Sequence, residues 1–247
     1  MKLYFIGVFC VLFIGKPAFS QEFKMLLPEV NELEKSYSYT NHTLSYNTSY
    51  RLSSWVSYML KASQIGTEEV NVKLTEDPNI TFRAAEKKDY KKSGYEAAQF
   101  MSSIDVAKNE QALEESYYLS NFMPAKPAFN KFIWIGLDEL IRYWAKDGDL
   151  QVITGPVLTE APYATIGDNK VIVPKTVFKI VYSPEKQQAV GFLIKTGIAR
   201  GSFKSFVKPI DEIEKITGID FLQELPDDVE NAIEKKSNTE KWVWEIE

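Results

Sequence analysis

The chain has 247 residues, of which 45% are hydrophobic and 13% aromatic, with a single cysteine and a formal net charge of −5. That length suits one domain or two small ones, and the apolar content excludes a disordered chain. One cysteine excludes a disulfide framework and a multi-thiolate metal centre, and the acidic balance disfavours tight nucleic-acid binding by overall charge.

The first twenty residues read as a leader. Lys2 supplies a positive start, Leu3 to Ile14 an apolar run, and Ala18-Phe19-Ser20 the small residues that a signal peptidase reads. The pattern predicts a secretory signal peptide over residues 1–20, cleaved before Gln21, and a periplasmic or extracellular destination. The run is too short to span a bilayer, so no membrane span is expected in the mature chain. Phe9 stands before Cys10 where a lipoprotein signal needs a small residue, which argues against lipid anchoring. Cleavage removes Lys2 and Lys16 from the 29 basic residues, leaving 27 against 34 acidic ones, a net charge of −7. It also removes Cys10, so the mature protein relies on its core for stability.

Residues 21–38 are expected to form a loosely held polar arm, with a domain over 39–247. Leu44-Ser45-Tyr46 and Trp55-Val56-Ser57-Tyr58-Met59 alternate apolar and polar side chains and predict two strands joined through Asn47-Thr48-Ser49. Lys87, Lys88, Lys91 and Lys92 form a basic loop that could meet phosphates, although a solvated charged loop is the plainer reading. Tyr117-Tyr118-Leu119 suggests a short strand. Ile133, Leu137, Leu140, Ile141 and Trp144 recur at spacings of three and four, predicting a helix from about Lys131 to Lys146 that stops at Gly148. Residues 150–154, 170–173, 176–182 and 189–194 read as strands, with Gly155-Pro156 as a turn after the first. Pro209 opens a helix ending near Gly218, and Asp227 to Lys236 forms a last short one. Strands and helices without regular alternation indicate an α+β class.

Several stretches occur together in a particular order. They include Ser93-Gly94-Tyr95, Ser120-Asn121, Phe129-Asn130-Lys131-Phe132-Ile133-Trp134 and Val152-Ile153-Thr154-Gly155-Pro156. Through them, residues from about Tyr39 to Trp242 resemble the DNA/RNA non-specific endonuclease family, the ββα-metal nucleases. The resemblance implies a central, mostly antiparallel sheet flanked by helices, with a ββα-metal element. The family's Tyr-Asp-Arg-Gly-His motif falls on Tyr95-Glu96-Ala97-Ala98-Gln99, and the spacing onward to Asn121 fits without a gap. Gln99 therefore stands in the position of the catalytic base and Ala97 in that of the arginine. A family Pro has become Ser102, and a Pro-Gln pair Pro124-Ala125.

In such nucleases the His takes a proton from water and one hydrated Mg²⁺ stabilises the leaving oxygen. The resemblance puts the metal-binding Asn at Asn130, the Glu that holds its waters at Asp138, and a further site residue at Asn121. An amide cannot accept and release a proton near neutral pH, so Gln99 forfeits a base worth about 10²–10⁴ in rate. Asn130 is neutral and Asp138 one methylene short, which predicts weak Mg²⁺ binding. Asn130 also suits a helix N-cap. His42, the only histidine, lies on the first strand and is expected there as a partly exposed residue. These readings together predict an inactive pseudonuclease that binds an envelope protein or a nucleic acid. An active Mg²⁺-dependent endonuclease with an unusual site is the alternative, and a structural subunit of an exported assembly the third reading.

Overall fold

The computed structural model describes residues 23–67 and 72–245, so the predicted leader lies outside the described residues. Eleven strands appear in chain order among them: β1 Lys35–Ser38, β2 His42–Asn47, β3 Leu52–Leu60, β4 Glu96–Gln99, β5 Phe122–Ala125, β6 Leu150–Pro156, β7 Ala164–Ile166, β8 Val171–Val173, β9 Thr176–Ser183, β10 Gln188–Lys195 and β11 Val207–Lys208. Seven make one sheet in the order β1-β2-β3-β6-β9-β10-β11, and all its pairs are antiparallel. The α-helices are α1 Lys87–Tyr90, α2 Glu110–Ser116, α3 Pro127–Phe129, α4 Ile135–Trp144, α5 Ile210–Thr217 and α6 Asp227–Glu234. The α+β class and the antiparallel sheet stand as expected.

The central strands are covered on both faces, so β3 and β9 are buried along their whole length. Alternation sorts their side chains into two cores. Val56, Tyr58 and Leu60 of β3, with Val177 and Val181 of β9, join Ile133, Trp134, Leu137 and Ile141 on one side. Trp55 of β3, with Phe178, Ile180 and Tyr182 of β9, joins Ile210, Ile213, Phe221 and Ile233 on the other. Helix α5 stops at Gly218, whose φ of 73° is the left-handed C-cap conformation that glycine adopts without strain.

Several local expectations need correcting. The arm is anchored, because Leu26 is buried and its N–H donates to the Oε1 of buried Gln151 at 3.0 Å. The Glu29 N–H reaches the Asp220 carbonyl at 2.9 Å, and β1 pairs with β2. Gln151 is buried, and its side-chain amide is satisfied by the Leu26 backbone of the arm together with the Ser57 hydroxyl. Gly155-Pro156 is the end of β6 and not a turn; a Cβ on Gly155 would come within 2.3 Å of the Ser54 carbonyl. Tyr117-Tyr118-Leu119 forms no strand. Tyr118 makes one parallel bridge to Thr75, and Leu119–Asn121 is a 3₁₀ turn.

His42 is fully buried rather than partly exposed. Its ring stacks on Tyr39 at 4.6 Å between centroids, and neither ring nitrogen has a hydrogen-bond partner among the described residues. Burial pushes its pKa down to about 3. The unfolded ring takes up a proton below about 6.5, whereas the folded ring does not until pH falls much further. Protonation therefore favours the unfolded chain, increasingly as pH falls from about 6.5 toward 3. His42→Phe keeps the stack and removes this linkage. The variant is expected to exceed the wild type in stability, with the gain larger at pH 5 than at pH 7 by about 2 kcal/mol. Urea denaturation at the two pH values measures it, and equal gains would contradict it.

Candidate active site

Strands β4 and β5 form a separate two-stranded ribbon that aligns Glu96 with Ala125, Ala97 with Pro124, Ala98 with Met123 and Gln99 with Phe122. A continuous helical rod follows. It runs through α3, a π-helical turn Asn130–Trp134, and α4. This is the ββα element. Its two arms are pinned together where the Trp134 Nε1–H donates to the Gln99 carbonyl at 2.6 Å.

The rod starts earlier than periodicity indicates, because Pro127 occupies the first helical turn, where its missing N–H costs nothing. Asn130 is consequently inside the helix, and the N-cap reading does not hold. Its side chain instead donates to the Glu96 carboxylate at 3.0 Å, across the mouth of the ribbon. Asn130 and Glu96 are the two polar groups that the ββα element brings together at the surface.

The other motif positions serve the scaffold. Gln99 is half-buried; its Nε2 donates to the Ser116 carbonyl at 3.1 Å, and its Oε1 accepts the Ser103 N–H at 3.1 Å. Asn121 is fully buried, donating to the Met101 and Ser116 carbonyls at 2.8 Å each and accepting the Met101 N–H at 2.9 Å. Ser116 ends α2, where carbonyls lack intrahelical partners, so the two amides cap that helix. Both N–H donors of Asn121 are spent on the scaffold, and its side chain is shut off from the surface. Ala97 is half-buried opposite Pro124, and the Ala98 methyl is packed in the core.

Asp138 is buried and ion-paired with Lys179, which itself has no exposed side-chain surface. Lys179 shares the strand face of Val177 and Val181, and its ammonium lies 4.0 Å from the Trp134 ring centroid. A second buried pair sits beside it: Arg142 donates to Asp105 at 2.9 Å, and the Tyr58 hydroxyl donates to the same carboxylate at 3.0 Å. Burial first, and then the charge of Asp138, hold Asp105 up at about 6 against the opposing pull of Arg142. Lys179 was absent from the sequence reading. The available signal was a lone lysine centred in an otherwise apolar strand, which demands a buried counter-ion.

The residues at the expected metal positions make a weak set for Mg²⁺. Mg²⁺ needs near-octahedral oxygen ligation and keeps its waters. Asn130 offers a single neutral Oδ1, its amide nitrogen being turned to Glu96, and Asp138 is committed to Lys179 inside the core. The basic loop is likewise engaged in part. Lys87 and Lys88 lie on α1 rather than in a loop, 3.3 Å from Glu76 and 2.9 Å from Glu86, while Lys91 and Lys92 are exposed.

The profile of the DNA/RNA non-specific endonucleases matches residues 26–228. The chain belongs to this family. It is 27% identical over 211 residues to the mitochondrial nuclease EXOG of Danio rerio, covering 77% of this chain and 62% of that protein. It therefore spans less than two thirds of that relative. A nuclease of Nostoc sp. is 26% identical over 91% of this chain and 85% of its own length. Mitochondrial endonuclease G of Caenorhabditis elegans is 28% identical over 76% and 68%. The fold matches that in the crystal structure of the EndoG/EndoGI complex, with a TM-score of 0.71 at 22% identity, over 77% of this chain and 86% of that one. The fold is thus that of the ββα-metal nucleases.

Breaking a buried ion pair from one side leaves an uncompensated charge. Lys179→Met is expected to cost about 3–5 kcal/mol, and adding Asp138→Leu should recover most of it. Urea denaturation of the single and double variants reads the difference. A Lys179→Met variant as stable as the wild type would refute the pairing.

Proposed function

We propose that the chain is an exported, catalytically inactive member of this family that acts by binding. The observation that carries the reading is Gln99: the base position holds an amide, and that amide is spent on Ser116 and Ser103. The loss of the arginine at Ala97 removes a charge that would stabilise the transition state. Asp138, ion-paired with buried Lys179, is withdrawn from the position where a carboxylate would order metal-bound water.

A protein partner suits the surface better than a nucleic acid. The charge of −7 after leader removal repels phosphates, and two of the four loop lysines already face carboxylates. Phe132, 58% exposed, and Ile135 put apolar surface on the same rod that carries Asn130. The neighbour EndoG is itself in complex with EndoGI. A periplasmic or extracellular location follows from the leader, and an envelope protein is the class of partner available there.

Purified protein is expected to leave plasmid DNA and RNA intact with Mg²⁺ or Mn²⁺ present. Gln99→His alone should restore little. Ala97→Arg, Ala98→Gly and Gln99→His together rebuild the motif and should gain detectable cleavage, at a cost in stability. Robust cleavage by the unmodified protein, abolished by Asn130→Ala, would falsify the reading. A calorimetric titration is the independent check: Mg²⁺ should bind weakly and identically in wild type and Asn130→Ala. Micromolar affinity lost in that variant would support an active enzyme instead.

A further inference from the structure

On the face of the sheet opposite the ββα element, α5 and α6 pack through Ile210, Ile213 and Ile233 onto β9 and β10. Three acidic residues meet where these helices adjoin. Asp211 and Glu214 lie one turn apart on α5, and Glu234 is the last residue of α6. One carboxylate oxygen from each lies within 4.8 Å of those of the other two. Burial is graded across the group: Asp211 is exposed, Glu214 half-buried, and Glu234 only 5% exposed.

Crowded surface carboxylates are common, but Glu234 is not at the surface. Its Oε1 is buried with no hydrogen-bond partner among the described residues, a costly arrangement for an acidic oxygen. The charges acting most strongly on it are all negative, from Glu214, Glu230, Asp211 and Asp220. Burial and these charges hold its carboxyl up at about 9, and burial with neighbouring acids also raises Glu214 and Glu230. A proton on Glu234 removes one charge, yet it leaves the remaining acids facing one another.

We propose that Asp211, Glu214 and Glu234 form a calcium site that clasps α5 to α6. The donor set is all carboxylate oxygen, which selects a hard divalent cation. Two oxygens each about 2.4 Å from one ion lie no more than about 4.8 Å apart, a limit that the three groups meet, so a small closing movement at most brings them onto a single calcium ion. Glu234 supplies the orphan oxygen from inside. Glu214 keeps one oxygen on the Phe221 N–H at 2.9 Å and offers the other. Exposed Asp211 leaves room for waters to complete a shell of six to eight ligands. Magnesium, smaller and strict in its octahedral geometry, suits such a set less well. The site lies apart from Asn130 and Gln99 and does not depend on whether the protein cleaves nucleic acid.

Thermal melting of the purified protein tests it. Calcium at about 5 mM is expected to raise the midpoint by about 5 °C over EDTA. Glu234→Gln is neutral and nearly isosteric, so it should fold, melt at least as high as the wild type in EDTA, and ignore calcium. Glu214→Gln should lose most of the response. Equilibrium dialysis with calcium alone should find one ion per wild-type chain and none on Glu234→Gln. No calcium shift in the wild type, or an equal shift in Glu234→Gln, would overturn the site; an equal shift with magnesium would overturn its assignment to calcium.

Discussion

The buried pair of Asp138 and Lys179 sets the relation between the sheet and the helical rod. Neither ion could remain charged there alone, so each fixes the other. The ammonium also lies under the Trp134 ring, and Trp134 holds the Gln99 carbonyl. A short chain of contacts thus leads from the middle of β9 to the strand that would carry the catalytic base. The interaction that locks the rod in place is the same one that withdraws a carboxylate from metal chemistry. Fold and site cannot be considered separately here.

The long strands of the sheet were legible because they alternate or run apolar. The α4 face was legible because its apolar residues keep helical spacing. The ribbon was not. Glu96-Ala97-Ala98-Gln99 has little β propensity, and β4 exists because β5 pairs with it across the intervening α2. Pro124 in β5 donates nothing to the ladder, which a two-stranded ribbon tolerates where a central strand would not. Helix α2 escaped notice despite its Asn109 cap, since seven residues carry too little periodicity.

The candidate positions 97, 99, 121, 130 and 138 were assigned by their place in the family pattern, which says nothing of their surroundings. What Asn130 and Asp138 touch was hidden, because their partners are distant in sequence. Lys179 lies 41 residues from Asp138, and Asn130 lies 34 from Glu96. His42 was misjudged for the opposite reason. Strand position says little about burial when a sheet is covered on both faces.

The two amides that cap α2 have a consequence on a longer timescale. Had Gln99 been a bystander, a single change back to histidine would cost nothing. It is instead part of a brace with Asn121, sharing the Ser116 carbonyl as acceptor and receiving the Ser103 N–H. A chain with histidine at position 99 would have to give up those bonds: the Ser103 N–H would need a new partner or water in its place, and the Ser116 carbonyl would be left to Asn121 alone. Position 99 is thereby entrenched: its neighbours have come to depend on the amide, so a change there is felt at three other residues at once.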